Sequence, residues 1–220
     1  MSLAYNPYGL APVAHESGIV RPAFGSGGGQ PYGGYTIASG YANNIFQNSP
    51  IQVDSTTPTS NIILASPFAS AAPPISKASL LLGSFQGVEF TLATGRRTVS
   101  NFWPAGTVPA TGSPTVAWIT RDPNLSYQIQ ANGSIPATAI GNLASITTNG
   151  SANGNATTGF STVGLDTTTL LSPAANPTFV NQLRITGFAQ QIDNNPGDAF
   201  TQVIVRIAGH QDLPQPNVAY

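Results

Sequence analysis

Two histidines, eight carboxylates and no cysteine are what the chain offers to acid–base, nucleophilic or metal chemistry. Catalysis by proton transfer needs such groups to converge with tunable protonation. His15 sits in a Pro/Gly-rich leading stretch and His210 at the end of the last predicted strand. Neither has a carboxylate and a hydroxyl at a recognisable spacing. Glu16, Asp54, Glu89, Asp122, Asp166, Asp193, Asp198 and Asp212 stand in separate neighbourhoods, whereas a glycosidase needs two acids facing each other across a sugar. No nucleophile elbow, HExxH or Walker-type loop is present. The run Gly25-Ser26-Gly27-Gly28-Gly29 follows no strand and opens no helix, so it makes no phosphate cradle. The lack of cysteine removes a thiolate nucleophile, a Cys-ligated zinc and a disulfide framework. Asp193-Asn194-Asn195-Pro196-Gly197-Asp198 resembles the opening of a calcium loop without its closing glutamate, and turn-forming chemistry explains it equally well. The expectation is no enzyme, no cofactor, no metal and no small-molecule substrate.

The second informative quantity is charge. Only 7% of the 220 residues are Asp, Glu, Lys or Arg, against about 25% in a typical soluble domain. The exterior must therefore be built from Ser, Thr, Asn, Gln, Gly, Pro and apolar side chains. With a net charge of −1, little repulsion opposes association. Such a surface suits lasting contact with other protein. The seven basic residues form no stripe, which argues against nucleic acid as a partner. No apolar run approaches the ~20 residues of a membrane span, so no membrane partner is expected. The opening Met-Ser-Leu-Ala-Tyr shows neither a basic nor an apolar signal region, so synthesis in a cytoplasm is the expectation.

These residues have to be positioned by strands. Short β-branched and aromatic runs punctuated by turn residues predict an all-β domain, an antiparallel β-barrel or jelly-roll-like sandwich. Candidate strands cover residues 35–39, 61–65, 88–92, 98–102, 115–120, 125–131, 182–190 and 199–208. In the last, Val203, Val205 and Ile207 share one face and Gln202 and Arg206 the other. With the turn formers between them, the last two strands make a long hairpin. A short helix is possible after Ser134, whose hydroxyl would cap Pro136 and residues 137–144. Residues 144–177, rich in Thr, Ser, Asn and Gly, read as an exposed loop or turn excursion.

Residues 1–34 differ in kind from the body at 35–210. Pro7, Pro12, Pro22, Pro31 and the glycine cluster oppose strand formation, yet the segment carries Tyr5, Tyr8, Leu10, Val13, Phe24 and Tyr32. An extended N-terminal arm laid along another protein surface fits both facts, since ordering each residue costs about 1–2 kcal/mol and only a large apolar contact offsets that. These six residues are the candidate partner anchors, together with Arg96 and Arg97, the one basic pair, whose planar forks suit interface carboxylates and carbonyls. Trp103 before Pro104 reads as a core plug in preference to an interface anchor. Residues 211–220 form a second, short extended tail.

Several segments carry a resemblance. Gly40-Tyr41-Ala42-Asn43-Asn44-Ile45-Phe46, Gly83-Ser84-Phe85-Gln86-Gly87-Val88-Glu89-Phe90 and Trp103-Pro104-Ala105-Gly106-Thr107 resemble small structural proteins encoded in tailed-bacteriophage head modules. So do Asp122-Pro123 with Tyr127-Gln128-Ile129-Gln130-Ala131-Asn132-Gly133-Ser134, and Gly197-Asp198-Ala199-Phe200-Thr201. The resemblance implies a capsid cement (decoration) protein: a β-barrel or jelly-roll body, commonly a homotrimer, seated on the outside of the virion shell and bound to the major capsid protein. No site motif defines that family, so it assigns no residue a role. The alternatives are a receptor- or glycan-binding β module of a phage tail or adhesin, and a shell-forming coat protein, although the long helix of that fold is not visible.

Overall fold

The computed structural model describes residues 4–15, 24–26, 35–54, 61–67, 80–113, 115–172 and 181–213. Fourteen strands lie among them, beginning with β1 (Ala11–His15), β2 (Phe24–Ser26), β3 (Pro50–Val53) and β4 (Ile62–Leu64). They continue as β5 (Gly83–Thr91), β6 (Arg97–Ser100), β7 (Val116–Thr120), β8 (Leu125–Gln130) and β9 (Leu143–Ile146). The last are β10 (Gly154–Asn155), β11 (Phe160–Ser161), β12 (Leu165–Leu171), β13 (Leu183–Phe188) and β14 (Gln202–Ile207). The chain is all-β, and its two large antiparallel sheets form a sandwich; neither closes into a barrel.

The first sheet runs β1-β8-β14-β13-β9-β12. Alternation gives it one apolar face, with Leu125, Tyr127 and Ile129 beside Val203 and Val205, then Leu183, Ile185, Ala144 and Ile146. The predicted hairpin is β13 and β14, paired from Leu183↔Ile207 to Phe188↔Val203 with one bulge. The second sheet runs β2-β7-β5-β3-β4, and β6 also pairs with β5. One of its faces holds Ile51, Ile62, Phe85, Val88, Ala117 and Ile119 around Trp103. Trp103 is a core residue, fully buried with Phe90 edge-on at 5.1 Å.

On the same strands Gln52, Ser84 and Thr120 alternate with those apolar residues and are buried too. Ser84 and Thr120 line the seam toward the first sheet. There Ser84 Oγ donates to the Leu10 carbonyl at 2.7 Å, and the buried Tyr127 hydroxyl of β8 reaches the Thr120 oxygens at 3.4 Å. Gly83 is required at this seam, because a Cβ there would collide with the Thr120 carbonyl. At Gly87 the β5 ladder shifts register against β7, and a Cβ would press on the Trp118 ring at 3.0 Å.

Four expectations need correction. The N-terminal segment is extended, but its described parts lie on the chain's own body: β1 pairs with β8 and β2 with β7. Both are edge strands, where Pro12 interrupts no interior ladder and coincides with a register shift. Within 144–177, β9 and β12 pair as Leu165↔Ile146 and Asp166↔Ser145. Thr-rich composition reads as loop, yet β-branched threonine suits a half-buried edge strand. The helix after Ser134 shrinks to one 3-10 turn at Ala137–Ala139 without a side-chain cap. The Ser134 hydroxyl instead donates to the Gly197 carbonyl at 2.8 Å. Residues 35–39 form no strand, only the bridge Thr36↔Asn61.

Because Leu10 is fully buried in the first core cluster, Leu10→Ala should cost about 3 kcal/mol. Urea unfolding would show it as a lowered midpoint. A freely lying arm would leave the midpoint unchanged.

Candidate functional site

Of the predicted partner anchors, Leu10 is a core residue of this chain and offers no side-chain surface to a partner. Tyr8 is half-buried, with its hydroxyl donating to Gln202 Oε1 at 3.1 Å. Burial pushes its pKa up to about 12, against a lowering from Gln128. Tyr5 keeps 44% of its surface exposed and lies with its ring centroid 5.2 Å from that of Phe200. Val13 is half-buried in β1, and Phe24 belongs to β2, opposite Thr120. Tyr32 lies outside the described residues. Arg96 and Arg97 are both exposed on the turn into β6, and Arg97 is ion-paired with Glu89 across the β5–β6 ladder. The structure therefore spreads these residues and does not gather them into one patch.

What it gathers instead is charge, around the connection from β7 to β8. Arg121-Asp122-Pro123-Asn124 makes a tight turn in which Asp122 Oδ1 accepts the Asn124 N–H at 2.8 Å. The β1–β8 ladder sets His15 opposite Leu125. That register brings His15 Nε2 to 3.1 Å from Asp122 Oδ2. Both Asp122 oxygens are thus engaged, one in the turn and one in holding β1 against it. The Arg121 guanidinium lies over the Tyr35 ring at 5.6 Å and donates to the Tyr35 hydroxyl at 3.1 Å. Its Nε is 3.7 Å from Asp212 Oδ2. Arg206, from β14, donates to Asn124 Oδ1 at 3.0 Å and so fixes the far side of the same turn.

His210 closes the cluster from beneath. It bridges to Leu81 and is fully buried, with Nδ1 accepting the Asp212 N–H at 3.1 Å. Burial lowers its pKa from the ordinary 6.5, while Asp212, the Arg121 backbone and Asp122 pull upward and the Arg121 charge adds to the lowering. The site thus holds a buried imidazole whose pKa burial lowers and a half-buried His–Asp contact. Among the described residues no group of three or more His, Asp or Glu could hold a metal ion. In the Asp193 to Asp198 turn, Asp198 Oδ2 accepts the Asn195 N–H at 3.0 Å, which closes the turn on itself. Asn194 braces it further, with Nδ2 donating to the Ala189 and Gln202 carbonyls.

The cluster was only partly visible in sequence. Asp122-Pro123-Asn124 between two strands signals an Asx turn, but its histidine is 107 positions away. Only the placement of β1 on β8 joins them. Beside the turn, a cleft of about 430 Å³ opens on the outer face of the first sheet, lined in part by Asn124, Arg184, Thr186 and Arg206.

Comparison with known proteins adds no relative: no family model, no curated protein and no solved structure matches the chain.

The His210 environment has a consequence for pH. The folded pKa is below the unfolded value of 6.5, so on acidification the unfolded chain takes up the proton first. The stability that His210 contributes is complete above about pH 6.5 and is lost progressively below it. Thermal melts from about pH 7.5 to about 5 should therefore show Tm falling. His210→Gln, which keeps an acceptor for Asp212, should flatten that fall; an unchanged pH slope in the variant would refute the assignment.

Proposed function

We propose that the chain is a non-enzymatic capsid cement protein, a homotrimer bound to the outside of a phage head where it bridges neighbouring copies of the major capsid protein. The observation that carries this is the make-up of the exterior. Ile192 is 97% exposed at the β13–β14 connection, Val99 62% on the edge strand β6, and Val108 and Ile140 60% and 53% in loops. They stand in a chain where charged residues make up only 7%, although Asp193 follows Ile192 and Glu89 lies opposite Val99 in the β5–β6 ladder. Isolated exposed apolar residues are ordinary on a protein surface. Combined with so little charge, they make a surface whose free energy falls when neighbours cover it.

A cement protein works by area. Each contact can be modest, because closed symmetry lets several copies grip one capsomer together. Linked contacts then slow release far beyond what any one of them would. A rigid sandwich suits this work, since little ordering entropy has to be offset on attachment. The sequence resemblance to phage head proteins supports the same function, and the virion exterior is its place of action.

Purified protein mixed with undecorated phage heads should co-sediment and raise the temperature at which the heads disrupt. Ile192→Asp should weaken attachment roughly tenfold while leaving the Tm of the free protein unchanged. Failure of the wild-type protein to attach at micromolar concentration overturns the proposal.

A further inference from the structure

In a chain with seven basic residues, two arginines stand directly opposite one another. Arg184 of β13 pairs with Arg206 of β14, and the same row continues to Leu143 of β9 on one side and Ser126 of β8 on the other. Directly opposed side chains in an antiparallel ladder share a face, with Cβ atoms about 4.5–5.5 Å apart, and like charges there destabilise the sheet. That face is the outer one, because Leu183 and Ile185 on β13 and Val205 and Ile207 on β14 point into the core.

Among the described residues no acidic group pairs with Arg184. It is exposed and has no hydrogen-bond or ion-pair partner among the described residues. Of the described acids in the neighbouring turn and tail, Asp122 pairs with His15 and Asp212 with Arg121. Arg206 is meanwhile pinned by Asn124, so one guanidinium is held in place and the other is free to close on a ligand. Both line the cleft of about 430 Å³, together with Thr186, Asn124, Pro123 and Leu213.

We infer that this cleft receives an acidic side chain of a protein partner, with its carboxylate held between Arg184 and Arg206 and its aliphatic neighbours seated on Pro123 and Leu213. Arginine forks match carboxylates with paired, charge-assisted hydrogen bonds. The apolar part of the lining and the size of the cleft select a peptide over a bare inorganic anion. On the cement proposal, from which the partner's identity follows, that side chain belongs to the coat protein. A charged lock of this kind would fix the orientation of docking, since opposite charges set register more than affinity.

The test uses the full chain and three probes in calorimetric titration: a capped Leu-Glu-Leu-Glu peptide, its Leu-Gln-Leu-Gln counterpart and inorganic phosphate. The Glu peptide should bind at least tenfold more tightly than the Gln peptide, and phosphate at equal concentration should not displace it. Arg184→Gln should weaken the Glu peptide roughly tenfold, with Tm unchanged or raised. Equal binding of both peptides, indifference to Arg184→Gln, or displacement by phosphate would overturn the inference. Co-sedimentation of Arg184→Gln with undecorated heads separates the two proposals. Peptide binding without attachment to heads removes the cement function and leaves the cleft. Attachment indifferent to Arg184 removes the cleft and leaves the cement function.

Discussion

Ser84 and Thr120 carry hydroxyls into the middle of the molecule, where a donor or acceptor left unmade would cost about 1–3 kcal/mol. Each has its partner: the Ser84 hydroxyl donates to the Leu10 carbonyl, and the Thr120 hydroxyl donates to the Ser84 carbonyl and accepts from the Tyr127 hydroxyl. That polar seam is what lets the second sheet be buried on both faces, with a greasy cluster around Trp103 on one side and the first sheet on the other. It also fixes relative position. Apolar surfaces slide at little cost, but a buried hydroxyl has to meet a particular oxygen. The leading segment enters through the same device, since the carbonyl that satisfies Ser84 belongs to Leu10. The location of β1, of His15 and of the charged turn beside it follows from there.

Charge economy explains the second pattern. With few ionisable groups available, the structure concentrates them: both histidines, Arg121, Arg206, Asp122 and Asp212 meet at the connections at one end of the sheets. Each pairing ties a loop to a strand, and together they pin down the ends of β7, β8 and β14. Surface ion pairs contribute little singly, about 0–1 kcal/mol. Linked through shared residues such as Asp122 they act as a network that holds a turn in shape. Arg184 is the member of this neighbourhood that the network leaves out.

Some of this was legible in the residues and some was not, for identifiable reasons. The hairpin of β13 and β14 was readable because alternation and turn chemistry are local signals, and Val203, Val205 and Ile207 are buried as the period requires. Strand β9 was hidden because Leu143-Ala144-Ser145-Ile146 is buried throughout and shows no alternation. β1 and β2 were hidden because proline and glycine argue against strands, an argument that weakens at a sheet edge. The His15–Asp122 contact and the Arg184–Arg206 opposition were invisible for a different reason. They are products of register between distant strands, and register across a sandwich is set by the seam and not by any short stretch of sequence.

The place of β1 in its sheet also bears on how the protein is made. Its one ladder partner is β8, and β8 is in turn flanked by β14. A ribosome that has delivered His15 must add 107 residues before Asp122 exists to receive it. Through that interval β1 waits without its ladder partner while translation proceeds at about 5–20 residues per second. An early strand is thus secured late, and the first sheet gains a middle to build upon only when the β13–β14 hairpin has emerged.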